Sequence, residues 1–173
     1  MSGGGSNGAW EAGVLHGLAH QGNPDDYHYD VVSGVSAGAI NAAALSTFAP
    51  EDIVAAADYI VKSWSELKTS DIYDHMPGGV VVALFEMRSL YDTTPAIATF
   101  GKIFGPNGYK KHLALSAVDV NTGEKVYMTD EHIPFDELPH AVLGSASVPI
   151  AFPPTKWGGH LMMDGMTAYN TDV

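Results

Sequence analysis

An α/β layered fold, with a mainly parallel central sheet flanked by helices, is what the sequence predicts, and three observations predict it. β-prone runs alternate along the chain with runs of helical periodicity, as they do where strands and helices form separate layers. A glycine-punctuated segment, Gly34-Val35-Ser36-Ala37-Gly38, stands where one such run hands over to the next. The 173 residues, 46% of them hydrophobic and 10% aromatic, suffice for one domain that buries roughly 70% of its unfolded surface without a disulfide or structural metal. Disordered and collagen-like classes are excluded by the same composition.

Ser2-Gly3-Gly4-Gly5-Ser6-Asn7-Gly8 reads as a loop feeding a helix over Ala9 to Ala19, with Trp10, Val14, Leu15 and Leu18 at helical spacing. Asn23-Pro24-Asp25 is a turn, and Tyr29 to Val32 a short buried strand. Ala39 to Leu45 is an Ala-rich helix. Pro50 to Leu67 is a second amphipathic helix with Ile53, Ala56, Ala57, Ile60, Val61 and Trp64 on one face. Asp71 to Gly79 is turn-rich. Val80 to Phe104 reads as helical pieces interrupted around Pro95, with apolar residues suited to a cap facing substrate. His112 to Val118 and Lys125 to Thr129 are strands joined across Asn121-Thr122-Gly123. Phe135 to Gly144 is a short helix, Ser145 to Pro154 a loop, and Leu161 to Met163 a last strand ending at Asp164-Gly165.

Charge narrows the partners. Eight Lys and Arg against 20 Asp and Glu give a net charge of −12 with no basic cluster, which argues against nucleic acid and against adsorption to anionic lipid by charge alone. There are no cysteines, so thiolate metal sites and a thiol nucleophile are excluded, and an intracellular, reducing compartment fits. Val31 to Pro50 is uncharged over 20 residues, but Ser33, Gly34, Ser36, Gly38, Asn41, Ser46 and Thr47 make it too polar for a bilayer span. The N-terminus has neither the basic nor the apolar region of a secretory signal. The expectation is a soluble protein, compatible with peripheral contact with a membrane.

The sharpest motif is G-x-S-x-G at Gly34 to Gly38. A serine at a strand-to-helix turn is held in a tight conformation, and the N-terminus of the following helix points at the place where negative charge develops in acyl transfer. Small residues also pack at such turns with no catalytic role. Consecutive glycines at Gly3, Gly4 and Gly5 expose backbone N–H groups suited to a phosphate or an oxyanion. G-x-x-x-x-G-K-[ST] is absent. G-x-G-x-x-G fits Gly3, Gly5 and Gly8, yet no strand precedes it. A loose terminal segment is the other reading. Asp164-Gly165 is by itself a turn. No histidine follows Asp164, so a triad has to recruit Asp119 or Asp130 with His132, His140 or His160, none in a recognisable context. No H-E-x-x-H or similar metal spacing occurs, and the eight histidines read as surface or supporting residues.

These elements in this order, with Ser145-Ala146-Ser147-Val148-Pro149 and Phe152-Pro153-Pro154 before the Asp-Gly, resemble the patatin-like phospholipase family from residue 2 to residue 170. The resemblance implies Ser36 as nucleophile and Asp164 as its sole partner, with an oxyanion hole of backbone N–H groups at Gly3, Gly4, Gly5 and Ser6. Gly34, Gly38 and Gly165 complete the motifs, and neither metal nor cofactor is required. The implied substrate is a phospholipid or other lipid acyl ester. Asn7 stands where the family carries Lys or Arg, Met166 replaces the usual small residue after Asp-Gly, and Asn170 matches a downstream Asn. The resemblance further implies one domain over residues 1–173 that lacks the family's first strand and C-terminal helices. Two other classes are weighed beside it: a degenerate subunit that keeps the fold as a structural or interaction module, and a serine esterase with a histidine-containing triad. Oligomeric state is not legible.

Overall fold

The structure, a computed structural model, describes residues 1–75 and 89–170. Helix α1 (Gly8–Gln21) follows a single 3-10 turn over Gly5–Asn7. Strand β1 (Val31–Gly34) leads through Val35 and Ser36 into α2 (Ala37–Ser46). A Pro-started turn opens α3 (Ile53–Glu66), and α4 (Thr69–Ile72) and the two-residue strand β2 (Asp74–His75) follow. Beyond residue 88 come β3 (Tyr91–Asp92), α5 (Thr94–Phe104), β4 (His112–Asp119), β5 (Lys125–Thr129), α6 (Leu138–Ser145), β6 (Thr155–Trp157) and β7 (His160–Asp164).

The central sheet has five strands, and β4, whose side chains are buried from Leu113 to Asp119, is its hub. β5 pairs with β4 antiparallel from Ala114 to Val118, through the hairpin expected at Asn121-Thr122-Gly123. β1 and β7 then share the opposite edge of β4. β1 runs parallel to it and ends with Gly34 beside Leu115, while β7 runs antiparallel and ends with Asp164 beside Ala117. The two strands therefore meet head to head opposite Ser116. This meeting brings residues 128 positions apart to one point.

The layered α/β architecture with flanking helices holds, and parallel pairing is found at β1–β4. The other ladders of this sheet, β4–β5, β4–β7 and β6–β7, are antiparallel; in β4–β5 and β6–β7 tight hairpins at Asn121-Thr122-Gly123 and at Gly158-Gly159 return the chain at once, whereas a parallel return needs a crossover. β2 and β3 form a separate antiparallel pair.

α2 is buried almost throughout, its alanines lying between the sheet and the surrounding helices. α3 presents Ile53, Ala56, Ala57 and Ile60 to the core, as its periodicity predicts. α1 differs from expectation. Its buried face is Gly8, Ala12, Leu15 and Ala19, whereas Trp10, Val14 and Leu18 are exposed. Small residues occupy the face because the neighbours come close: a Cβ on Gly8 would lie 2.9 Å from the Ala37 Cβ. β1 begins two residues later than the Tyr29–Val32 run, and Pro95 lies in the first turn of α5 instead of interrupting a helix, where its fixed φ and missing N–H cost no intrahelical bond. The Val80–Phe85 run, with most of the expected cap, lies outside the described residues.

Candidate active site

Ser36 is the second residue of the two-residue link, Val35–Ser36, between β1 and α2, with φ 55° and ψ −124°. Positive φ is costly for a residue with a side chain and persists only where its surroundings enforce it. Here the enforcement is close packing: a Cβ on Gly34 would lie 2.2 Å from the Gly38 carbonyl oxygen, so the turn closes only with glycine at that position. The Ser36 N–H donates to Ser145 Oγ at 3.0 Å, and Ser145 Oγ in turn donates to the Ser116 carbonyl at 2.7 Å.

Asp164 ends β7 and is fully buried. The Ser36 hydroxyl donates to its Oδ2 at 2.6 Å, and the Met166 N–H donates to its Oδ1 at 2.8 Å. Burial pushes the Asp164 carboxyl above the ordinary carboxylate range, opposed by these two hydrogen bonds. Asp164 also donates its own N–H to the Ser147 carbonyl at 2.8 Å. One stretch at the end of α6 thus grips both residues, Ser145 holding the Ser36 turn and Ser147 the end of β7.

The glycine loop lies against this pair. Gly3 donates its N–H to the Asn170 carbonyl at 3.4 Å, and a Cβ at Gly3 would stand 3.0 Å from the Ser36 Cβ. Gly5 takes φ +57°. The N–H groups of Gly4, Gly5 and Ser6 have no acceptor among the described residues. The same holds for Ala37, the first residue of α2. Gly5, Ser6, Ser36 and Ala37 border a mainly apolar cleft of about 560 Å³, walled by Ile40, Trp64, Phe100, Leu143 and Phe152 among others. That volume falls in the range of roughly 300–1,000 Å³ typical of small-molecule sites.

Comparison with known proteins fits this arrangement. A family model described as patatin-like phospholipase matches residues 1–173. The chain belongs to the patatin-like phospholipase family. Among solved structures, VipD from Legionella pneumophila is similar in fold, with a TM-score of 0.57 at 15% identity over 99% of this chain and 46% of that one. The chain therefore spans less than half of that neighbour's length. Comparison with curated proteins gave no match. No helix among the described residues is long and apolar enough to cross a membrane.

One departure from the family pattern, Met166, and one match to it, Asn170, have visible places in the structure. The Met166 side chain is exposed and does not line the cleft, while its backbone N–H holds Asp164. Asn170 meets the glycine loop through its backbone carbonyl. The alternative triad partners lie elsewhere. His160 pairs with Asp119 at 2.7 Å and His132 with the Thr129 hydroxyl at 2.8 Å. His112, not one of the three candidate histidines, pairs with Asp130 at 3.0 Å. Among the described residues no histidine hydrogen-bonds Ser36 or Asp164. Sequence reasoning quoted Ser145 and Ser147 without assigning them a task; two serines spaced by one residue just before Val148-Pro149 were the available signal.

Proposed function

We propose that the protein is a serine lipid acyl hydrolase of phospholipase A type, with Ser36 as nucleophile and Asp164 as its base. The observation that carries this reading is the 2.6 Å bond from the strained, buried Ser36 hydroxyl to a buried carboxylate, at the mouth of an apolar cleft. Asp164 takes the Ser36 proton as Oγ attacks the ester carbonyl carbon. The oxyanion forms beside the N–H groups of Gly4, Gly5 and Ser6, with Ala37 as a further donor; each well-placed donor is worth roughly 3 kcal/mol in barrier. Gly3 serves differently, because its N–H is engaged by Asn170. The tetrahedral intermediate expels the alcohol, which leaves with the proton from Asp164. Asp164 then takes a proton from water, whose oxygen attacks the acyl-Ser36 carbonyl, and the fatty acid departs as Ser36 recovers its hydrogen.

The alcohol side of the ester faces solvent in this reading and the acyl chain follows the cleft, which suits a lipid with one chain drawn out of an aggregate. Hydrolysis of phospholipid vesicles and of soluble acyl esters by wild type and Ser36→Ala is the test. Fatty acid release that disappears in the folded variant is the expected result. A folded wild type with no turnover on either substrate supports the degenerate-module reading instead.

A further inference from the structure

A cluster of two histidines and one carboxylate, on α1 and α3, lies outside the lining of the cleft. His16 and His20 are four residues apart on α1, a spacing that puts both rings on one face. Their Nε2 atoms converge on a single oxygen of Asp58 in α3: His16 Nε2 lies 3.1 Å and His20 Nε2 2.7 Å from Asp58 Oδ1. The ring centroids are 4.3 Å apart. Among the described residues this is the one trio of His and carboxylate groups whose candidate ligand atoms all lie within 4.8 Å of one another.

We propose that His16, His20 and Asp58 form a binding site for a transition-metal dication of the zinc class, bridging α1 and α3. Zn–N and Zn–O bonds near 2.0–2.1 Å in a tetrahedral site put neighbouring ligand atoms about 3.3 Å apart. The observed separations of 2.7 and 3.1 Å reach that value by side-chain shifts of a few tenths of an ångström. The donor set discriminates by type. Two imidazole nitrogens and one carboxylate oxygen suit Zn²⁺, Ni²⁺ or Cu²⁺, whereas Ca²⁺ and Mg²⁺ require shells of oxygen. The side chains are 41%, 40% and 53% exposed, so an ion reaches them from solvent and water completes its coordination.

His16 and His20 stand two to three turns along α1 from Gly8, about 12–18 Å at 1.5 Å per residue. The site is therefore separate from the proposed hydrolytic chemistry, and its consequence is mechanical: a bound ion ties α3 to the helix that carries the glycine loop.

The test uses the tag-free, chelator-stripped chain of 173 residues. Isothermal titration with Zn²⁺ at pH 7.5 should give one site per chain, and a hundredfold excess over Kd should raise Tm by roughly 5 °C or more. Ca²⁺ and Mg²⁺ should do neither. His16→Gln and His20→Gln should each weaken binding by at least the roughly 10-fold that loss of even a supporting partner costs at a metal site, and Asp58→Asn should do likewise. His132→Gln should leave binding unchanged. Metal-free Tm and circular dichroism establish that each variant is folded. Zn²⁺ binding weaker than about 1 mM in wild type, or binding that survives both histidine substitutions, overturns the proposal. The readouts involve no turnover, so they stand apart from the proposed hydrolase activity.

Discussion

Replacing Asp164 by Asn removes a proton acceptor while keeping the shape of the side chain, and the surrounding hydrogen bonds make its effect specific. The Asn carbonyl oxygen still accepts from the Met166 N–H, which turns the amide NH₂ toward Ser36 Oγ, where Oδ2 stood at 2.6 Å. Ser36 then faces a donor in place of a base. Loss of a general base costs roughly 10²- to 10⁴-fold, or about 3–5 kcal/mol in barrier. Stability moves the other way. Burial raises the Asp164 pKa in the folded state, so the folded chain binds this proton more tightly than the unfolded chain. The stabilisation is fully present below the unfolded value, near 3.8, and is lost as pH rises through the raised folded value. Asn carries no such pH-dependent loss. The Tm of Asp164→Asn relative to wild type should therefore be higher at pH 7 than at pH 4. Steady-state hydrolysis of a soluble acyl ester, paired with thermal denaturation at both pH values, measures the two effects. Wild-type kcat/KM should fall on the acid side at a pH above that of an exposed carboxylate, and the residual rate of the variant should lack that limb. A folded Asp164→Asn protein within tenfold of wild-type rate refutes the reasoning.

Ser145→Ala removes two buried hydrogen bonds and leaves the Ser36 N–H and the Ser116 carbonyl without this partner, which should cost about 2–5 kcal/mol of stability; denaturant melts check it, and kcat should fall more than KM rises. Across soluble esters of increasing acyl length, kcat/KM should climb by up to about fourfold per methylene, at ~0.8 kcal/mol each, until the cleft is filled; a flat series would contradict acyl binding there. His132, His140 and His160 should each tolerate Gln with less than about a threefold change in rate, as surface substitutions do, whereas a loss as deep as that of Asp164→Asn would restore the triad reading.

The strand-to-helix turn at Ser36 was legible because its glycines are sterically required: a Cβ on Gly34 would lie 2.2 Å from the Gly38 carbonyl oxygen and one on Gly38 2.5 Å from the Met1 backbone. Asp164-Gly165 was legible only through its order relative to that turn, since the contact arises from the head-to-head arrangement of β1 and β7 on β4. Ladder direction at the C-terminal end was not legible, because β6 is three residues long and its hairpin turns on two glycines with weak flanking pattern. The face of α1 was misread for a physical reason. Periodicity picks the large residues, but a helix packed close to its neighbours buries the small ones, Gly8, Ala12 and Ala19. The expectation that no metal-like spacing occurs overlooked His16 and His20, which stand four residues apart on α1 as the two histidines of H-E-x-x-H do; Asp58 was not legible, because it follows His20 by 38 residues and only the packing of α1 on α3 joins them.

The central claim is that Ser36 forms the acyl-enzyme bond. Mass spectrometry of the intact chain and its peptides after treatment with a fluorophosphonate tests it most directly. The account predicts one adduct per chain, on Ser36, with hydrolysis lost in proportion to labelling. A folded, hydrolytically active protein that leaves Ser36 unlabelled, or that carries the adduct on another residue, contradicts it.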